Sequence, residues 1–210
     1  TDLFYDHIII PYLDRGQPVY FKGRAQNPKN GNKYYNLNGT SEFVKNPLYK
    51  ARVQGSNTLV LVEGEFDALA TTELLESDVI ALGKAGLSKY KKKDLFKLVS
   101  RYDDVVIVND VDDNNTGQDG AIKTAKTILE GTGVICRVGQ LEQLEGRTST
   151  DIADYNREGK ELQPVIENAR DFTTLLNEEE LIEVVETLVE GLEEVEGRRK
   201  LGKEIKSIIP

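Results

Sequence analysis

Methionine and tryptophan are missing from this 210-residue chain, and cysteine and histidine occur once each. A single cysteine, Cys136, excludes a disulfide framework and any cysteine-rich zinc ribbon. It lies in "GVICRV", where it reads as a buried strand residue rather than a reactive thiol. The only histidine, His7, precedes the apolar run "IIIPY", so packing is its expected role rather than acid–base work. No apolar run approaches a bilayer span and no signal peptide opens the chain, so a cytoplasmic, non-membrane protein is expected. Methionine is absent even at position 1, which reads as a piece excised from a longer protein.

What is present describes a globular domain, with 39% hydrophobic and 30% charged residues. The net charge of −9 taken alone argues against nucleic acid. Its distribution does not. Positions 1–58 carry Arg15, Lys22, Arg24, Lys29, Lys33, Lys45, Lys50 and Arg52 against Asp2, Asp6, Asp14 and Glu42. Lys84, Lys89, Lys91, Lys92, Lys93 and Lys97 form a second basic cluster, and the acid gathers between Glu178 and Glu196. A local phosphate-binding face therefore stays open.

The hydrophobic rhythm changes twice. Residues 7–24 read as two strands around Asp14-Arg15-Gly16-Gln17, followed by an extended Asn-, Gly- and Pro-rich loop. From residue 58, strands at 58–62, 78–82, 104–109 and 133–138 alternate with helices near 66–76, 89–100 and 118–130. That alternation predicts an α/β fold with right-handed crossovers and a mainly parallel sheet. In the tail, Leu181, Val184, Val185, Leu188, Val189 and Leu192 recur at helical spacing, and a second helix is expected near 197–208. The boundaries follow: a basic subdomain over 1–57, a catalytic domain over 58–170 and a helical subdomain over 171–210.

Two apolar strands end in acid. "TLVLV" runs into Glu63-Gly64-Glu65-Phe66-Asp67, and "VVIV" runs into Asn109-Asp110-Val111-Asp112-Asp113. Carboxyl ends of parallel strands share one sheet edge, where open α/β folds bind ligands. Asp110 and Asp112, two apart in extended chain, point the same way. Converging carboxylates repel unless a hard cation such as Mg²⁺ sits among them. On spacing alone, turn-forming Asp, Asn and Gly explain the pattern equally well.

The combination of Glu-Gly-x-x-Asp, Asp-x-Asp and intervening βαβ units resembles the TOPRIM domain of primases, topoisomerases and some nucleases. "TDIADYNREG" resembles the family's third acidic patch, at Asp151 and Asp154. Gly23-Arg24, Lys33-Tyr34-Tyr35-Asn36 and Phe43-Val44-Lys45 are similar to the N-terminal part of the DnaG-type primase polymerase core, found in bacteria, phages and plasmids. The sequence departs from the family where Val111 replaces a glycine, where Asp113 to Thr116 lengthen a loop, and where Glu65 takes a usually aromatic or apolar position. The resemblance implies a primase core that joins ribonucleoside triphosphates into RNA on single-stranded DNA. It implies metal binding by Glu63, Asp67, Asp110, Asp112, Asp151 and Asp154, with two or more Mg²⁺ or Mn²⁺ ions and no zinc in this fragment. Glu63, Asp110 and Asp112 become the catalytic residues, with Glu63 assisting proton transfer and Asp67 orienting its neighbours. Arg24, Lys33, Tyr34, Asn36, Lys45 and Lys84 become nucleotide or template contacts, while Lys91 to Lys93 read as a solvated helix face. A replicative helicase would bind through regions outside this fragment. The alternatives are a TOPRIM nuclease and a non-catalytic DNA- or helicase-binding replication module.

Overall fold

The computed structural model describes residues 4–27, 33–36, 47–83 and 89–189. Lys45, Lys84, the Phe43-Val44-Lys45 segment and the expected helix near 197–208 lie outside the described residues.

Strands β1 (His7–Asp14) and β2 (Gln17–Ala25) pair as the expected antiparallel hairpin. Its two-residue turn suits the strands' right-handed twist because Arg15 and Gly16 both take positive φ, 50° and 78°. A third strand, β3 (Tyr34–Asn36), pairs with β2 inside the segment read as loop. Three residues among Asn and Gly carry no readable alternation, so only the pairing partner reveals the strand.

The large sheet is built from β4 (Tyr49–Arg52), β5 (Thr58–Val62), β6 (Asp78–Ala81), β7 (Asp104–Val108), β9 (Arg137–Gly139) and β11 (Arg170–Asp171). Its order is β11-β9-β7-β5-β6-β4. The four central strands are parallel, and β4 and β11 close the edges antiparallel. Strand β4 thus pairs into the large sheet although its sequence lies in the expected N-terminal subdomain. β5 and β7 read as unbroken apolar runs because helices and the hairpin cover both faces. Leu59 and Leu61 join one core with Ile107, Leu95 and Ile128, while Val60 and Val62 join the other with Val106, Tyr12 and Ile152.

Helices α1 (Glu65–Leu74), α2 (Lys89–Val99) and α3 (Thr116–Thr132) make the crossovers. Helix α3 runs two residues beyond the expected end and stops at Gly133, whose φ of 75° suits only a residue without a side chain. The next strand therefore begins at Arg137, later than the apolar run predicts, and Cys136 is buried just ahead of it. Beyond β9 come β10 (Ser149–Thr150), which pairs with β8 (Val111–Asp112), and the short helices α4 (Ile152–Arg157) and α5 (Gln163–Glu167). Residues 178–189 are helical, with Val184 buried and Leu188 packed against the core, while Leu181, Val185 and Val189 stay exposed.

A buried ion pair joins the N-terminal sheet to helix α1. Lys22 of β2 donates to both oxygens of Glu65, at 2.8 and 2.9 Å, and the Tyr12 hydroxyl donates to Glu65 Oε1 at 2.5 Å. Burial pushes the Glu65 acid up, but the Lys22 and Tyr12 hydrogen bonds outweigh it and hold the carboxyl below its ordinary range. Removing one partner of such a pair leaves the other charge buried, whereas removing both does not. In urea titrations, Lys22→Met should cost about 3–5 kcal/mol, and Lys22→Met/Glu65→Leu should recover most of it. Equal losses for the single and double variants would show that the ion pair is not the joint.

Candidate functional site

Strand order places the site. From β5 the chain moves outward to β6, then crosses back over β5 to form β7, so the crossover direction reverses beside β5. Val62 and Val108 are register partners, which sets Glu63 and Asn109 side by side at the shared carboxyl edge. Such a reversal opens a crevice between strand ends. A cavity of about 630 Å³ lies there, lined by Glu63, Asp110 and Asp112 among others. The two acidic clusters meet, although more than forty residues separate them.

Gly64 makes room for the acidic turn. Its N–H donates to Asp67 Oδ2 at 3.1 Å, and a Cβ there would stand 2.7 Å from that oxygen. Asp67 is only 8% exposed, in the first turn of α1. Burial, then the charges of Asp110 and Asp151, push its acid up to about 7 against the pull of the Gly64 N–H; Glu63 adds a smaller push. Four carboxylates from three segments therefore act on one another.

On the β7 side, Asp112 Oδ1 accepts the N–H groups of Asn114 and Thr116, each at 3.0 Å. This carboxylate shapes the lengthened loop and starts α3, with Asn115 in the left-handed region at φ 55°. Gly117 seats the helix directly on the loop: a Cβ there would fall 1.8 Å from the Asp110 carbonyl oxygen. Asn109 Nδ2 donates to the Gly117 carbonyl at 3.1 Å and completes the joint.

In the third patch, Asp151 and Asp154 cap α4 reciprocally, each carboxylate accepting the other's N–H, at 2.7 and 3.4 Å. Asp154 Oδ1 also accepts Arg147 and Arg157, at 2.6 and 2.7 Å. Asp154 is thereby committed to the helix start and its two arginines, whereas Asp151 reaches the field of Asp67.

The basic side is more engaged than the sequence predicts. Arg24 stacks on Phe66, 4.6 Å from its ring centre, and donates to the Tyr34 hydroxyl at 3.2 Å. The Tyr34 ring also lies 4.3 Å from the Lys22 ammonium, so the Tyr34 face expected to stack on a base is already in use. Tyr35, 37% exposed, meets Phe4 and His7 edge-on, and Lys33 and Asn36 are exposed. The expected solvated run Lys91 to Lys93 is corrected. Lys91 is 4% exposed, and its ammonium donates to the Leu82 carbonyl at 2.9 Å. Burial lowers its pKa. Lys92 lines the acidic cavity. A helix start beside the sheet edge turns consecutive lysines in different directions, which a count of charges does not show.

The donor set suits Mg²⁺ rather than a metal held in a closed cage. Among the described residues no three side chains already form a tight metal-ligand group. Mg²⁺ needs only one or two direct carboxylates, keeping waters and substrate phosphates for its other positions. Glu63, Asp110 and Asp112 are the residues that would hold it. Asp67 is raised first by burial and then by the charges of Asp110 and Asp151, and a cation placed there would offset those charges.

The comparisons with known proteins bear on the fold. The Toprim-like family model matches residues 60–155. That stretch is similar to Toprim domains. Over about four fifths of its length or more, the chain is similar in fold to DnaG-type primase catalytic cores. It resembles the Aquifex aeolicus primase zinc-binding and RNA polymerase domains at 24% identity and a TM-score of 0.66, covering 89% of this chain and 47% of that one. A DNA primase domain from Pseudomonas aeruginosa is 25% identical, with a TM-score of 0.61 and coverage of 81% and 53%. A DnaG primase catalytic domain bound to single-stranded DNA is 21% identical, with a TM-score of 0.60 and coverage of 80% and 54%. The chain spans about half the length of these proteins. None of the curated proteins matches it in sequence.

The Asp67 acid ionises near ~4 in an unfolded chain but at about 7 in the fold. As pH rises from 4 to 7 the unfolded chain releases a proton that the folded one keeps, so this group lowers stability through that window and costs most above it. Asp67→Asn should therefore stabilise the metal-free protein by about 1–2 kcal/mol at pH 8, after loss of the charged Gly64 bond, and give no gain at pH 4. Urea unfolding at the two pH values measures it; an equal effect at both would discard the electrostatic cause.

Proposed function

We propose that this chain is the catalytic core of a primase, joining ribonucleoside triphosphates into short RNA on a single-stranded DNA template. One observation carries this reading. The same short turn presents Glu63 and Asp67 to the carboxylate edge and Phe66 to Arg24 of the basic sheet. A site for metal-bound phosphate and a surface for nucleic acid thus adjoin within five residues. The likeness to primase cores, one of them with single-stranded DNA bound, supports the reading.

In this reaction the primer's 3′ oxygen bonds to the α-phosphorus and the α–β bridging P–O bond breaks. Pyrophosphate leaves with the bonding electrons, and the hydroxyl proton passes to Glu63. Mg²⁺ when bound supplies charge neutralisation for the transferring phosphoryl group. The chain's own residues do the positioning. Glu63, Asp110 and Asp112 face the phosphates, Asp67 with Asp151 supports the acidic turn, and Asp154 orders α4. Arg24 and Lys33 contact template or nucleotide phosphate, with Asn36 beside them; Arg24 brings a planar fork already oriented by Phe66 and Tyr34. Lys45 and Lys84 are assigned the same task.

Asp110→Asn should reduce primer synthesis by at least ~100-fold while single-stranded DNA affinity stays within about twofold, because the basic track is untouched. Normal synthesis by this variant would overturn the mechanism. DNA cleavage by the wild-type protein with Mn²⁺ and no ribonucleotide would replace the primase reading with a nuclease. For the template path, Arg24→Ala/Lys33→Ala should lower the slope of log affinity against log salt by about 1–2. A slope unchanged from wild type would move the template off the N-terminal sheet.

A further inference from the structure

Helix α2 is basic against its own stability. Four of its first five residues are lysine, and its first turn holds no acid. The positive end of the helix dipole lies there and disfavours cations. Lys91 turns inward and Lys92 lines the cavity, whereas Lys93 and Lys97 are exposed one helical turn apart, about 6 Å along the axis. Arg101, also exposed, follows four residues on, in the turn closed by its N–H on the Leu98 carbonyl at 3.0 Å. Among the described residues none of these three cations forms an ion pair. Like charges at this spacing repel. The chain has 36 acidic residues against 27 basic ones, so acid to neutralise the row was not in short supply.

The row's place in the fold gives it a direction. Leu95, Leu98 and Val99 seat α2 in the core shared with Leu59, Leu61 and Ile107, on the sheet face opposite the N-terminal hairpin. The helix starts beside the carboxyl edge and ends at the other end of the strands, where Tyr102 donates to Asp78, the first residue of β6. The row therefore leads away from the acidic edge. A phosphodiester backbone is the ligand that presents anions in a regular row. Single strands are held by cations interleaved with aromatic platforms. The N-terminal sheet offers that mixture in Arg24, Lys33 and Tyr35, but the α2 row does not. Among its described side chains, Phe96 lies against Gly131 of α3 and Tyr102 is turned to Asp78. Charge without a stacking surface suits a backbone whose bases are already paired.

We infer that Lys93, Lys97 and Arg101 form a track for the phosphate backbone of a nucleic-acid duplex. On the nucleotidyl-transfer reading, on which this naming of the duplex rests, it is the RNA–DNA hybrid leaving the acidic edge. Template and product then part. The single strand comes in over the N-terminal sheet, and the paired product leaves over the opposite face of the large sheet.

Salt titrations of binding to a short RNA–DNA hybrid, a DNA duplex and single-stranded DNA test the track without requiring turnover. Lys93→Gln/Lys97→Gln/Arg101→Gln should bind the hybrid at least ~10-fold more weakly, with the slope of log affinity against log salt lowered by about 2–3. Its thermal midpoint should match wild type, and its affinity for single-stranded DNA should stay within about twofold. Arg15→Gln/Lys50→Gln/Lys160→Gln removes the same charge from scattered exposed sites and should leave hybrid affinity within about twofold. Unchanged hybrid affinity in the α2 variant overturns the track. So does an equal loss in the scattered variant, which would reduce the effect to net charge, or a larger loss for single-stranded DNA, which would make the row a template surface. Loss with the DNA duplex but not with the hybrid overturns its assignment to the product. Hybrid binding that depends on the α2 row in a protein that makes no primers would uphold the track and reject primase activity alone.

Discussion

Everything on the basic side of the molecule depends on the buried contact of Glu65 with Lys22 and Tyr12. The three-stranded sheet is thin, and Ile8, Ile9, Leu13 and Val19 lie on it exposed. Its apolar grip on the α/β domain comes chiefly from Ile10, Tyr12 and Tyr20. A desolvated carboxylate with an ammonium and a phenol on it supplies direction where area is short. The neighbouring rings reinforce it: Tyr12 packs edge-on to Tyr20 and Tyr49 at about 5 Å. Because Glu65 is two residues from both Glu63 and Asp67, the joint sets the orientation of Arg24 relative to the acidic edge.

That edge is held in tension. The fold brings Glu63, Asp67, Asp110 and Asp151 together against their mutual repulsion, and backbone geometry absorbs the strain. Leu82 and Gly83 extend the pairing of β6 with β5 by donating to the Val62 and Glu63 carbonyls, at 2.9 and 2.8 Å. Lys91 fixes the Leu82 carbonyl from the other side. The backbone that carries the acid is thus anchored on both sides. A cation entering such a site would find its geometry already formed.

Much of this was legible in the sequence because period and punctuation agree. The runs at 58–62 and 104–108 are too apolar for an edge strand, and each stops at acid, so both the parallel sheet and its ligand edge follow. The Gly64 and Gly117 positions are marked by residue type, since each must let another atom approach closely. Less legible were the features set by tertiary contact. Strand β3 exists because β2 offers it a partner, and the Tyr34 ring is claimed by two cations from the neighbouring strand. Lys91 and Lys92, adjacent in sequence, meet respectively the interior and the cavity. Asp154 reads as one more acid of the patch until Arg147, seven residues earlier, is seen on its carboxylate. Glu65 stood out as a departure from the family pattern, and the signal that could have explained it was the lysine at position 22.

The seating of Gly117 on the Asp110 carbonyl bears on how this chain tolerates change in length. The loop between Asp112 and α3 is clamped at both ends: Asp112 gathers the Asn114 and Thr116 N–H groups, and Gly117 abuts Asp110. Extra residues inserted between those clamps bulge outward into solvent and leave the carboxylates where they were. The Asp113–Thr116 segment is thereby the part of this edge open to a change in length, while the residues on either side of it keep their places.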